Sequence, residues 1–195
     1  MCAYAGRMDV SSHPNLAEHR HVIELQARHE GLPVELVSAM VLVESSGDTE
    51  AWNPEPHYRW VWDVRRERPF RVTSAEALDK APPDDFPCYC GDRDAEWWGQ
   101  QASWGLLQLM GAVAREMGFD RTQHFPALCR NPELNLAFGC AYLRRLHARW
   151  HREHGWPGVV AAYNAGSPRL NDGGRFVNQR YVDKVAAWVD LRALP

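Results

Sequence analysis

The chain has 195 residues, enough for one packed core or a domain with an added lobe. Hydrophobic residues make up 45% and charged residues 24%, the balance of a folded globular chain and not of a disordered one. A formal net charge of −3 gives no overall basic field for nucleic acid or anionic lipid, and no apolar run reaches the length of a membrane span.

Residues 1–14 read as a loose leader. Met1 to Ser12 lacks an apolar segment behind a basic one, and Asp9 interrupts it early, so synthesis in the cytoplasm without a signal peptide is expected. Leu16 to His29 has helical spacing, with Leu16, Val22, Ile23 and Leu25 as the apolar set and Gly31 as the stop. Pro33 suits the first turn of the next helix, which runs to Ser45 and is apolar on nearly every side. Such a helix is a buried one. Glu44 is therefore a carboxylate at the end of a buried apolar helix, and Ser45-Ser46-Gly47-Asp48 stops that helix.

Residues 49–102 change character. They are rich in Pro, Asp, Arg and Trp, show no long periodic segment, and read as an inserted lobe or lid, with Ser74 as a candidate N-cap. Trp104 to Met117 reads as helix, interrupted near Gly111 and closed by Gly118. Asn131-Pro132-Glu133 opens a further helix, Asn131 as N-cap, running to about His151. Trp156 to Tyr163 makes a short helix ending at Asn164-Ala165-Gly166, and Val177 to Leu191 is the last. No β-alternation or internal repeat stands out, so the class is mostly α and the chain one domain.

Five cysteines are an odd count, and reduced thiols are expected. Cys88-Tyr89-Cys90 is too tightly spaced for a zinc knuckle, and neither metal nor organic cofactor is expected. Arg65, Arg66 and Arg68 read as a solvated face. Of the nine tryptophans, Trp60, Trp62, Trp97, Trp98 and Trp104 cluster in the middle third, where indole rings serve either packing or sugar stacking.

Four segments together resemble the soluble lytic transglycosylase-like domains of the lysozyme-like superfamily, phage-type members included. They are Val43-Glu44-Ser45-Ser46; Trp104-Gly105-Leu106-Leu107-Gln108-Leu109-Met110; Asn131-Pro132-Glu133-Leu134-Asn135 leading to Gly139-Cys140-Ala141-Tyr142-Leu143; and Ala161-Ala162-Tyr163-Asn164-Ala165-Gly166. Tyr181-Val182-Asp183-Lys184-Val185 also fits. The resemblance spans roughly residues 20–190 and implies a lysozyme-like helical fold with a substrate groove. It implies Glu44 as the catalytic acid/base, Gln108 and Asn164 as groove residues and Tyr163 as a tyrosine whose hydroxyl approaches Glu44, with Ser103 a further positioning candidate. Leu107 replaces the family's usual methionine, a volume-conserving change. The stretch between Glu44 and Gln108 is longer than the minimal pattern.

The chemistry of the residues runs the same way. A glycosidic oxygen must be protonated as it leaves, and a glutamate beside Val41, Leu42 and Val43 is expected to have a raised pKa. Glycosidases of the retaining and inverting kinds generally need a second carboxylate. Asp48 and Asp63 are the nearest candidates, and neither is convincing from sequence. A lone glutamate suits intramolecular closure to a 1,6-anhydro product. The expected substrate is the peptidoglycan glycan strand, cut by a monomer at the cell wall; release on phage lysis, carriage in a virion and delivery by a bacterial secretion machine all stay open. A hydrolytic muramidase on the same fold, and a non-catalytic glycan-binding or virion structural module, stay open as alternatives.

Overall fold

The computed structural model describes residues 9–70, 80–88, 91–120 and 122–195. The expected cap at Ser74, and Cys2 and Cys90, lie outside them. The backbone clusters into two compact units, one formed by residues 9–47 with 140–195, the other by 48–139.

The first unit is helical. Val10–Ser12 and Pro14–Leu16 are short 3-10 turns, the first capped by the Asp9 carboxylate on Ser11 N–H. Val10 and Leu16 are buried, and the Val10–Ser12 turn packs on the second helix, so this part of the leader is ordered against the core. Helix α1 (Arg20–His29) buries Ile23 and Ala27 and packs on α2 (Val34–Ser45). Every residue of α2 from Leu36 to Leu42 is buried, as its apolar surface requires. Burying a Leu or Val contributes about 1.5–3 kcal/mol. The poor helix propensity of Val costs at most about 0.7 kcal/mol per residue. Packing therefore decides the conformation of α2.

The second unit is mixed. Strands β1 (Trp52–Pro54), β4 (Ala102–Trp104) and β5 (Leu109–Met110) form an antiparallel sheet in the order β1-β4-β5, while β2 (Trp62–Asp63) pairs with β3 (Arg68–Pro69). Helices α3 (Arg93–Gln100), α4 (Gly111–Glu116) and α5 (Ala127–Arg130) complete it. The register Trp52↔Trp104 and Ser103↔Met110 sets the sheet. Helices α3 and α4 approach closely because both contact residues are glycines. A Cβ on Gly99 would lie 1.9 Å from the Phe125 ring, and one on Gly111 1.9 Å from the Gly99 carbonyl oxygen.

The expected helix from Trp104 is corrected here, as is the expected lack of strands. Only Gly111–Glu116 is helical; Trp104 and Leu109–Met110 are strand, joined by a turn. Gly105 (φ 68°) and Gln108 (φ 43°) both occupy left-handed backbone, which ends any helix. The Asn135 side chain then pins the turn, Nδ2 donating to Trp104 O at 2.7 Å and Oδ1 accepting from Leu107 N at 2.9 Å. Residues 49–102 also hold α3, whose N-cap Asp92 accepts from Ala95 N–H.

Helix α6 (Pro132–Ala165) begins in the second unit and continues in the first, and is broken at Gly155 (φ 60°, ψ −169°). The break falls between the two helices that the spacing predicts. Asn131 caps as expected, its Oδ1 accepting from Leu134 N–H at 3.1 Å. Helix α7 (Gln179–Ala186) is shorter than the expected Val177 to Leu191.

Candidate active site

Glu44 is the penultimate residue of α2 and is half-buried. The stop that follows it fixes where the carboxylate stands. Ser46 is left-handed (φ 57°) and its N–H closes on Leu42 O at 3.1 Å. Gly47 (φ 84°) has no room for a side chain, since a Cβ there would lie 2.3 Å from Asn15 O. Asn15 Nδ2 donates to Ser46 O at 3.0 Å, so the turn is clamped to the N-terminal segment.

The carboxylate meets a phenol. Tyr181, in the first turn of α7, donates its O–H to Glu44 Oε1, and α2 and α7 pack together. Val182 and Val185 anchor α7 in the core, which turns Tyr181 to Glu44. Tyr163, near the end of α6, also feels the glutamate. Its phenol is pushed well above the ordinary range, first by burial and then by the Glu44 charge, with Tyr142 and Cys140 adding to it. The Tyr142 and Tyr163 rings pack at 5.5 Å. The Tyr181 phenol is raised the same way, by burial and then by Glu44. Both phenols therefore stay protonated, and Tyr181 is a donor at any physiological pH.

Asn164 sits at the end of α6, where Gly166 (φ 76°) closes the helix through its N–H on Ala162 O at 2.7 Å. Its Oδ1 accepts from Asn178 Nδ2 at 2.9 Å, and the same Nδ2 donates to Ala161 O at 3.0 Å. The Asn164 amide is thus turned so that its NH2 faces away from Asn178.

Ser103 and Gln108 belong to the second unit and are bonded to each other, Ser103 Oγ donating to Gln108 Oε1 at 2.9 Å. Gln108 Nε2 donates to Ala51 O and to Gly105 O, both at 2.9 Å. Both amide hydrogens of Gln108 are thereby engaged, and what its side chain has left for a ligand is an acceptor lone pair on Oε1. Asp63 is buried and holds its own turn, accepting from Arg65 N–H and Arg66 N–H at 3.0 and 3.1 Å. Asp48 does the same for Glu50 N–H at 2.9 Å.

Sequence reasoning brought Glu44 and Tyr163 to one place but left Tyr181 and Asn178 without roles. The signal for Tyr181 was available: it shares a helix face with Val185, four residues on, and so points inward with the core valine. Nothing in the sequence marks Asn178.

A model of the transglycosylase SLT domain matches residues 21–184, a span that takes in Glu44, Ser103, Gln108, Tyr163, Asn164 and Tyr181. No curated protein matches the chain.

Proposed function

We propose, since the chain belongs to the family of transglycosylase SLT domains, glycan-cleaving enzymes that act on peptidoglycan, that it cuts the β-1,4 bond between N-acetylmuramic acid and N-acetylglucosamine, leaving a 1,6-anhydro end, with Glu44 as the single acid/base.

The observation that carries this reading is the hydrogen bond from Tyr181 to Glu44 Oε1. An oxygen that accepts from a phenol is the carbonyl oxygen of the acid form, so the transferable proton belongs on Oε2. Glu44 gives that proton to the leaving glycosidic oxygen. The substrate's own acetamido oxygen supports the electron-poor anomeric carbon. The muramic 6-hydroxyl then closes on that carbon and returns its proton to Glu44, which restores the acid. Donation from Tyr181 favours the carboxylate that exists between the two transfers. Asn164, oriented by Asn178, supplies an amide donor for a sugar substituent.

A hydrolase of the two-carboxylate kind needs a second acid to hold water. Asp63 and Asp48, the candidates by sequence, are both used in turns, which supports the intramolecular route. The test is digestion of purified peptidoglycan with mass analysis of the fragments. Anhydro ends are expected, and Glu44→Gln is expected to lose about 10²–10⁴-fold in rate. Reducing ends instead would favour a muramidase, and full activity of Glu44→Gln would remove Glu44 from the mechanism.

A further inference from the structure

Strand β4 uses its two faces differently. Ser103 bonds Gln108, whereas its neighbours Ala102 and Trp104 line a cavity of about 360 Å³ that lies wholly within the second unit. The volume falls at the small end of ligand pockets, roughly 300–1,000 Å³, and suits a single ring. None of Glu44, Tyr163 or Tyr181 lines it.

The floor of the cavity determines the charge of what fits. Glu96 and Arg115 line it and form a buried two-pronged ion pair, with Nε–Oε1 at 3.0 Å and NH2–Oε2 at 2.9 Å. The remaining Arg115 hydrogens go to the carbonyl oxygens of Phe119, Asp120 and Gln123. All five guanidinium donors are engaged, and Glu96 is neutralised. A charged ligand gains no partner there and would lose its hydration. This end of the cavity favours an uncharged group.

The walls determine its shape. Trp52, Trp104 and Phe125 form a column of near-parallel rings, with successive centroids 6.0 Å apart and planes tilted by 20° and 18°. Trp52 is 59% exposed, so the outer end of the column is an open indole face. Trp98, from α3, adds a second indole that is 51% exposed. The rim determines its polarity. Trp104 donates its indole N–H to Gly99 O at 2.9 Å, but among the described residues neither the Trp52 nor the Trp98 indole N–H has an acceptor. Asp92 and His124 stand at the same rim. A pyranose meets these conditions, being uncharged with a flat C–H face and acceptor oxygens at its edge, and an N-acetyl methyl suits the apolar wall.

We propose that this cavity is an accessory glycan site that holds one N-acetylhexosamine ring of the wall polymer against the exposed indoles of Trp52 and Trp98. The identity of the sugar rests on the reading of the chain as a peptidoglycan enzyme; the position of the site does not depend on Glu44.

The test uses the full chain. Chitotetraose, the β-1,4 tetramer of N-acetylglucosamine, is titrated calorimetrically into Glu44→Gln protein with and without Trp52→Ala and Trp98→Ala. Both indoles are more than half exposed, so the variants should fold, and an unchanged melting curve checks this. The double variant is expected to bind at least tenfold more weakly. In the Glu44 background it is expected to raise KM on whole peptidoglycan about tenfold with kcat unchanged within twofold. Trp98→Phe, which keeps a ring and loses the N–H, should fall between. Unchanged chitotetraose affinity in the double variant would overturn the proposal. So would N-phenylnaphthylamine binding that depends on Trp52 and Trp98 but is not displaced by saturating chitotetraose, since the cavity would then be an apolar docking site. If Glu44→Gln kept full activity while the tryptophan variants lost binding, the catalytic assignment would fail and this site would stand.

Discussion

Tyr181 and Glu44, separated by 137 residues in the chain, share one hydrogen bond in which the phenol is the donor. Burial and the glutamate charge both keep that phenol protonated. Removing only its hydroxyl should therefore disturb the acid without disturbing the sugar contacts. Tyr181→Phe is expected to lower kcat about 10- to 100-fold, the range for a hydrogen bond to a charged group of about 1.5–3 kcal/mol. KM should stay within a factor of about two. Steady-state release of soluble fragments checks this; a change confined to KM would place Tyr181 in binding instead.

Gly47 should be among the least replaceable residues in the first unit. Its backbone is left-handed and a Cβ meets the Asn15 carbonyl at 2.3 Å. Gly47→Ala must move either the turn or Asn15, and the turn carries Glu44. A stability loss of about 1–3 kcal/mol in urea unfolding is expected, with activity reduced further than stability alone explains.

Gln108 combines a strained backbone with a side chain that makes three hydrogen bonds, accepting from Ser103 Oγ and donating to Ala51 O and Gly105 O. Gln108→Gly separates the two, since glycine relieves the φ of 43° and deletes the amide. If the amide is what holds the loop, the variant loses about 1–3 kcal/mol despite the relief. A stability equal to or above that of the parent would mean that the backbone strain outweighs the three bonds.

His147 should make the protein acid-sensitive. Its ring is held below the ordinary histidine range by burial, then by His151 and Arg144. Arg144 donates to His147 Nδ1 at 2.9 Å, which requires an unprotonated nitrogen there. Because the folded value is depressed, the unfolded chain takes up the proton first. The stabilising contribution is complete above the unfolded value of about 6.5 and is lost as pH falls through the lower folded value. His147→Phe, which keeps a ring against Trp156, should flatten the fall in melting temperature between about pH 7 and 5. A parallel curve would exclude His147 as the cause.

The buried thiols should be inert. Burial pushes Cys140 up to about 12, and Cys129 is raised by burial as well. Thiol reagents near neutral pH should leave both unmodified in the native protein and label them in urea. Mass mapping of the labelled peptides decides it.

How far the fold could be read in advance follows from where its information lies. Helix α2 was legible because apolar residues stand on nearly every side of it, and seven consecutive residues, Ser38 among them, are buried. The break in α6 was legible because Gly155 and Pro157 stand together. The hairpin around Gln108 was not, because its determinants are remote: Asn135 supplies the bonds that pin it, and left-handed glutamine is rare. The candidate site divides the same way. Glu44 and Tyr163 lie on segments that local pattern marks, and the structure brings them into electrostatic range. Tyr181 acquires its role only when α7 docks on α2, and Asn178 only when it meets the end of α6.

The broken dihedral at Gly155 also divides α6 dynamically. An unbroken helix of 34 residues would open as one cooperative rod, fraying from its ends. With the ladder interrupted, the stretch from Trp156 to Ala165 is shorter than a helix that holds itself together in water, about 12–15 residues. It persists because Val159, Val160, Ala161 and Ala162 are buried. Amide hydrogen exchange should therefore resolve two protection blocks within α6. The block that bears Tyr163 and Asn164 should exchange separately from the long stretch of α6 that precedes Gly155.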